Sequence, residues 1–256
     1  MASQPLQNLR VLTIVDGHGD HMLYTKLLQV LPNLVSLTWS NSDQPLYEEI
    51  IPRMELPSLK FLSFRECCWE TMTDLLKHLD VPSLEHLDLE HFYGGEITLN
   101  EVLDIICGDG VVKPRHLTLG GGTLNGINVE GIWHHLKHLE TLFINDHHNI
   151  ALADDLFIPL SPPNRDFSSV CPQLKTLQLS YMIIRVDALV DFVQRRVKSD
   201  LGDPAPCLLT SLIMMNVWVD AAVREVFPQL VKTHSLSFHL PRPVGRKPLD
   251  LQFHLQ

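Results

Sequence analysis

The sequence predicts an α/β solenoid, and three observations predict it. The apolar pattern L-x-x-L-x-x-L-x-L returns nine times along 256 residues. Its third apolar position falls at Leu12, Leu37, Leu62, Leu87, Leu117, Leu142, Leu177, Leu212 and Leu236, in steps of 25, 25, 25, 30, 25, 35, 35 and 24 residues. Segments with helical spacing lie between the copies. A fixed-period apolar motif implies stacked units, each burying its face only against its neighbours.

The copies read LQNLRVLTI (6–14), LPNLVSLTW (31–39), LPSLKFLSF (56–64), VPSLEHLDL (81–89), VVKPRHLTL (111–119), LKHLETLFI (136–144) and CPQLKTLQL (171–179), followed by the more degenerate PCLLTSLIM (206–214) and LVKTHSLSF (230–238). The L-x-L end alternates with period two, so each copy supplies a short half-buried strand, and successive strands stack in parallel. In WETMTDLLKHLD (69–80), Trp69, Met72, Leu75, Leu76 and Leu79 share one helical face. In VDALVDFVQRRV (186–197), Val186, Leu189, Val190, Val193 and Val197 do the same. A strand followed by a helix in each unit matches a leucine-rich repeat, a horseshoe with its parallel sheet on the concave face and its helices on the convex face. A single domain over 1–256 is expected. SPPNRDF (161–167) and SDLGDPAP (199–206) read as surface loops, and 241–256 as a C-terminal tail or cap, because LDLQFHLQ (249–256) alternates strictly.

With 45 % hydrophobic residues the chain can bury a continuous core. The N-terminus lacks a basic region followed by an apolar stretch, and no apolar run is long enough to span a bilayer. Five cysteines, two of them adjacent at Cys67 and Cys68, argue against a secreted disulfide framework. Cytoplasm or nucleus is the expected compartment. Thirty acidic against twenty basic residues give a net charge of −10, which repels nucleic-acid phosphates and anionic lipid. QRRVK (194–198), the densest basic cluster, reads as the solvated side of a convex helix.

No catalytic constellation emerges. LGGGTLNG (119–126) fits neither phosphate-loop spacing and reads as a strand-to-helix turn. Fourteen histidines raise the question of metal, but GHGDH (17–21), His134 with His135, and DHH (146–148) sit in different repeats. No metal, cofactor or enzymatic activity is therefore expected. Cys67 falls three residues after Phe64, where such repeats place Asn or Cys to hydrogen-bond the turn leaving the strand. Cys171 opens a repeat and should be packed.

The residue between the two strand leucines faces away from the core, and so do the two positions after each strand in this register. Small polar residues dominate there except in the third to fifth repeats. Arg65 should lie beside Glu90, Glu66 beside His91, and His86 beside His116. With Phe61, Asp88, Phe143, Asp146 and Tyr181, these residues form the expected partner-binding patch on the concave face.

The C/L-P-x-L-x-x-L-x-L motif, the position of Cys67 and the segment ALVDFVQRR (188–196) together resemble fungal F-box proteins with C-terminal leucine-rich repeats. The resemblance covers about residues 6 to 240. It implies a non-catalytic module that recruits a substrate protein to a cullin-type ubiquitin ligase. Only residues 1–5 precede the first repeat, and no F-box-like segment stands among them. Adaptor binding is therefore not carried to any residue here. The alternatives are a free-standing scaffold or regulator, for example of a small GTPase, and an enzyme using loop histidines or cysteines.

Overall fold

The structure, a computed structural model, describes residues 4–15, 21–42, 53–92, 99–107, 112–121, 136–145, 171–181, 183–184, 190, 192, 196, 209–219, 236–239 and 249–255. The chain divides into two compact units, 1–118 and 119–256. Both are α/β in character, with parallel strands as their main element.

In the first unit, a short 3-10 helix over Gln4–Asn8 leads into β1 (Val11–Val15), α1 (His21–Gln29), β2 (Ser36–Ser42), β3 (Met54–Glu55), β4 (Phe61–Cys67), α2 (Trp69–His78), β5 (Leu79–Asp80), β6 (His86–Glu90) and α3 (Leu99–Cys107). A further strand, β7 (His116–Gly120), begins in this unit. β1, β2, β4 and β6 pair in parallel in that order. The register follows the period: Leu12 pairs with Leu37, Leu37 with Leu62, and Leu62 with Leu87. Leu37, Leu62 and Leu87 are at most 1 % exposed, and the next inward row, Trp39, Phe64 and Leu89, is buried equally.

Three backbone devices recur with the repeat. In the first, the opening L-P-x-L closes a turn in which the fourth amide donates to the first carbonyl. Leu34 bonds to Leu31 at 3.1 Å, Leu59 to Leu56 at 3.0 Å and Leu84 to Val81 at 3.1 Å. Pro32, Pro57 and Pro82 occupy the second turn position, where a φ fixed near −65° is already the one required. In the second, one carbonyl before each strand accepts two successive amides from the next repeat. Arg10 accepts from Val35 and Ser36, Val35 from Lys60 and Phe61, Lys60 from Glu85 and His86, and Glu85 from Arg115 and His116, all at 2.8–3.1 Å.

The third device is a left-handed residue four positions after the third leucine. φ is 57° at Asn41, 53° at Glu66, 58° at His91 and 57° at Gly121. A chain leaving a strand sharply needs this conformation, which Gly adopts freely and Asn readily. Gly121 bears out the reading of the glycine run as a turn; 122–126 lie outside the described residues.

Helix α2 presents the expected apolar face: Trp69, Met72, Leu75 and Leu76 are buried. Leu79 ends the helix and starts β5, which pairs in parallel with β3. Trp69 stacks on Phe92 with ring centroids 4.5 Å apart, and Tyr24 meets Trp39 edge-on at 5.7 Å. Cys67 is fully buried, and its thiol donates to the carbonyls of Trp39 at 3.6 Å and Arg65 at 3.3 Å. It thus ties the strand exit to the preceding repeat, as expected of that position.

In the second unit the strands are β8 (Thr141–Asn145), β9 (Thr176–Ser180), β10 (Ile183–Ile184), β11 (Ser211–Val219), β12 (Leu236–His239) and β13 (Leu249–Leu255). β8, β9 and β11 are parallel, with Leu142 opposite Leu177 and Leu177 opposite Leu212. The 35-residue steps therefore keep the register of the 25-residue ones. The doubled carbonyl recurs at Glu140 and at Lys175, the turn recurs as Leu139 to Leu136 and Leu174 to Cys171, and Tyr181 has φ 57°. β13 adds antiparallel to β11, and β12 adds antiparallel to β13. The segment 249–256, expected as a tail or cap, supplies a paired strand over Leu249–Leu255, whereas the ninth copy does not continue the parallel stack, because its strand β12 pairs antiparallel with β13.

Within the basic cluster at 194–198, whose other residues lie outside the described residues, Arg196 requires correction. Val190, Phe192 and Arg196 are helical, and Arg196 is 2 % exposed, with Nη1 donating to the Cys171 carbonyl at 3.2 Å. Burial pushes the Arg196 pKa down to about 10, which leaves it charged at neutral pH. It anchors the opening of a repeat rather than facing solvent. Burial likewise pushes the Cys171 thiol up to about 12, against a smaller opposing effect of Arg196. The loops at 161–167 and 199–206 lie outside the described residues.

Candidate partner-binding face

Strand alternation puts 61, 63 and 65 on one side of β4, 86, 88 and 90 on the same side of β6, and 116 on that of β7, opposite the leucines. Parallel pairing sets Phe61 against His86, Ser63 against Asp88, and Arg65 against Glu90. The face therefore carries three rows of different chemistry.

The first row is aromatic. Phe61 and His86 lie 6.1 Å apart with rings tilted by 42°, while His86 and His116 stack at 4.1 Å with an interplanar angle of 3°. All three are half-buried. The second row departs from expectation, because Ser63 and Asp88 are buried although they point away from the leucine core. Asp88 Oδ2 accepts from Ser63 Oγ at 2.9 Å and from Arg65 Nη2 at 2.7 Å. Asp88 Oδ1 is enclosed and accepts no hydrogen bond. A buried carboxylate is tolerated because a cation and a hydroxyl reach it.

The third row holds Arg65 and Glu90. Arg65 Nε lies 3.4 Å from Glu90 Oε2 and 3.1 Å from Ser63 Oγ. The predicted Arg65–Glu90 neighbours are thus in contact, yet the diagonal Asp88 is the shorter partner. The hydrogen bond to Asp88 raises the Arg65 pKa above its ordinary value, against an opposing effect of burial. Burial, and then the charge of Asp88, raise the Glu90 carboxyl above the usual glutamate value, and Arg65 only partly offsets them. One guanidinium is shared by two carboxylates, and the trio keeps a net negative charge.

The other predicted site residues are placed differently. Glu66, within β4, and His91, just after β6, have left-handed backbone, where the simple alternation of a strand does not hold. Tyr181 takes the same turn position in the second unit, and Phe143 pairs there with Gln178. Asp146 lies outside the described residues, as do residues 17–20, 134–135 and 147–148 of the histidine clusters. Sequence reasoning missed the Ser63–Arg65–Asp88 network, although S-x-R and D-x-E stand 25 residues apart in equivalent frames. Among the described residues, no three His, Cys, Asp or Glu side chains gather as a metal site. No described helix is long and apolar enough to cross a membrane.

No family model matches the chain. It is 26 % identical over 202 residues to an F-box/FBD/LRR-repeat protein of Arabidopsis thaliana, a match covering 72 % of this chain and 41 % of that protein. The chain thus spans about two fifths of the length of the curated relative it matches. The likeness supports a protein of the F-box and leucine-rich repeat type, and its plant source lends no support to the fungal part of the expected resemblance.

Proposed function

We propose that this chain is a leucine-rich repeat solenoid acting as a non-catalytic protein-interaction module, similar to the substrate-recognition region of an F-box ubiquitin ligase. The observation that carries the reading is the face of β4 and β6. There a repeating scaffold holds a half-buried aromatic row beside a charged trio. Repeat scaffolds use such aligned rows as binding surfaces, and the F-box/LRR relative points the same way. The partner is a protein, with neither nucleic acid nor membrane expected, and the compartment is cytoplasmic or nuclear.

Affinity capture from cells with the wild-type chain and with a Glu90→Lys variant, read by quantitative mass spectrometry, tests this. Proteins lost from the variant while its melting curve is retained would be face-dependent partners, with substrates of a ubiquitin ligase expected among them. An identical interactome for both chains would overturn the assignment of function to this face.

A further inference from the structure

We infer that the β4–β6 face takes a basic segment of its protein partner, with an Arg or Lys pairing against Glu90 and an aromatic or aliphatic side chain seated on the Phe61–His86–His116 row. This rests on the proposed interaction function and adds the chemistry of the ligand.

Three independent observations point to that chemistry. The charges are unbalanced, since Arg65 lies 2.7 Å from Asp88 and 3.4 Å from Glu90 and can neutralise only one of them. Asp88 is 5 % exposed, yet its Oδ1 accepts no hydrogen bond, so the negative potential beneath the face is under-compensated from inside the protein. The aromatic row is confined to three strands: in β2 the equivalent position is Ser36, and in β8 it is Thr141. A cation arriving at Glu90 would offset the surplus charge of the pair. An acidic segment would meet like charge on a protein already at −10.

The geometry also sets a spacing. Positions 61 and 65, or 86 and 90, are four residues apart along a strand, which is about 13 Å at roughly 3.3 Å per residue. No single side chain bridges the two rows. The ligand therefore needs two anchors, and in an extended segment these fall four residues apart on one side.

Selection from a displayed library of random peptides on the intact 256-residue protein tests this, with Glu90→Gln protein as counter-selection. Selected peptides should carry Arg or Lys with an aromatic or aliphatic residue four positions away. Their affinity should fall about tenfold on Glu90→Gln, equivalent to about 1.4 kcal/mol, weaken with added salt, and be unchanged on Glu55→Gln. Glu90→Lys should turn the preference towards acidic peptides. If Phe61→Ala lowers the melting temperature, the Glu90 variants still decide the outcome. Acidic or uncharged peptides that lose binding on Phe61→Ala or Glu90→Lys would overturn the basic-segment inference while leaving the docking face intact. Failure to select any peptide sensitive to Phe61 or Glu90 would overturn the docking face as well.

Discussion

On one face of the first unit's sheet, Leu12, Leu37, Leu62 and Leu87 meet like with like across each strand pair. On the other, Val15, Ser40, Arg65 and Glu90 fill a single row and share no chemistry. Both faces hang on the same backbone ladder with the same register. The leucine face has no freedom, because each unit must fill the same space against the next at close packing. The opposite face needs only side chains compatible with a strand and with their lateral neighbours. Uniformity therefore marks what holds the stack together, and variety marks where it can acquire a specific ligand.

Six substitutions break or sharpen that contrast. Leu87→Ala has the largest expected effect: a fully buried leucine flanked by its equivalents should lose about 2–5 kcal/mol in a denaturant melt. A loss below about 1 kcal/mol would mean that the uniform face is not the main source of stability. Arg65→Ala follows, because it strips Asp88 of its cation and leaves a buried carboxylate. Arg65 is itself half-exposed, so water can partly replace it, and about 1–3 kcal/mol is expected. Asp88→Asn in that background should recover part of the loss.

Glu66→Gly relieves a left-handed non-glycine residue and should gain up to about 1 kcal/mol, whereas Ser63→Gly in the adjoining strand should lose stability. Comparing the two separates the turn from the face. Glu90→Gln has the smallest effect, a rise in Tm on the order of one or two degrees at pH 7. Because the folded pKa of Glu90 is raised, its contribution is fully present below the ordinary glutamate value of about 4.3 and is lost as pH rises through the folded value. The advantage of glutamine should accordingly vanish in acid. A constant difference across pH 3–8, measured by thermal melts, would contradict the burial cause.

The strand positions were legible in the sequence because their periodicity is repeated and redundant. Leu37, Leu62 and Leu87 identify one another, and the L-P-x-L turn reappears with each. The Arg65–Glu90 and His86–His116 neighbours followed from the period alone. Burial of Asp88 was not legible, since it depends on a diagonal reach by Arg65, and arginine is long enough to choose among several partners. The left-handed row was legible only at Gly121, in the run read as a turn; Asn41 and His91 are types that tolerate the conformation, whereas Glu66 adopts it against its preference. Arg196 misled for a similar reason. Its charge suggested solvent, while its length lets it reach the Cys171 carbonyl from a buried position.

The end of the second unit has a bearing on how the chain is made. β13 lies between β11 and β12, although β12 precedes it in sequence. As a ribosome delivers residues in order, β12 emerges with no place beside β11 until the segment 249–255 arrives to separate them. The edge of β11 away from β9 thus stays open until β13 arrives. Until then one edge of β11 is unpaired, the kind of edge that chaperones shield and that neighbouring polypeptides can seize.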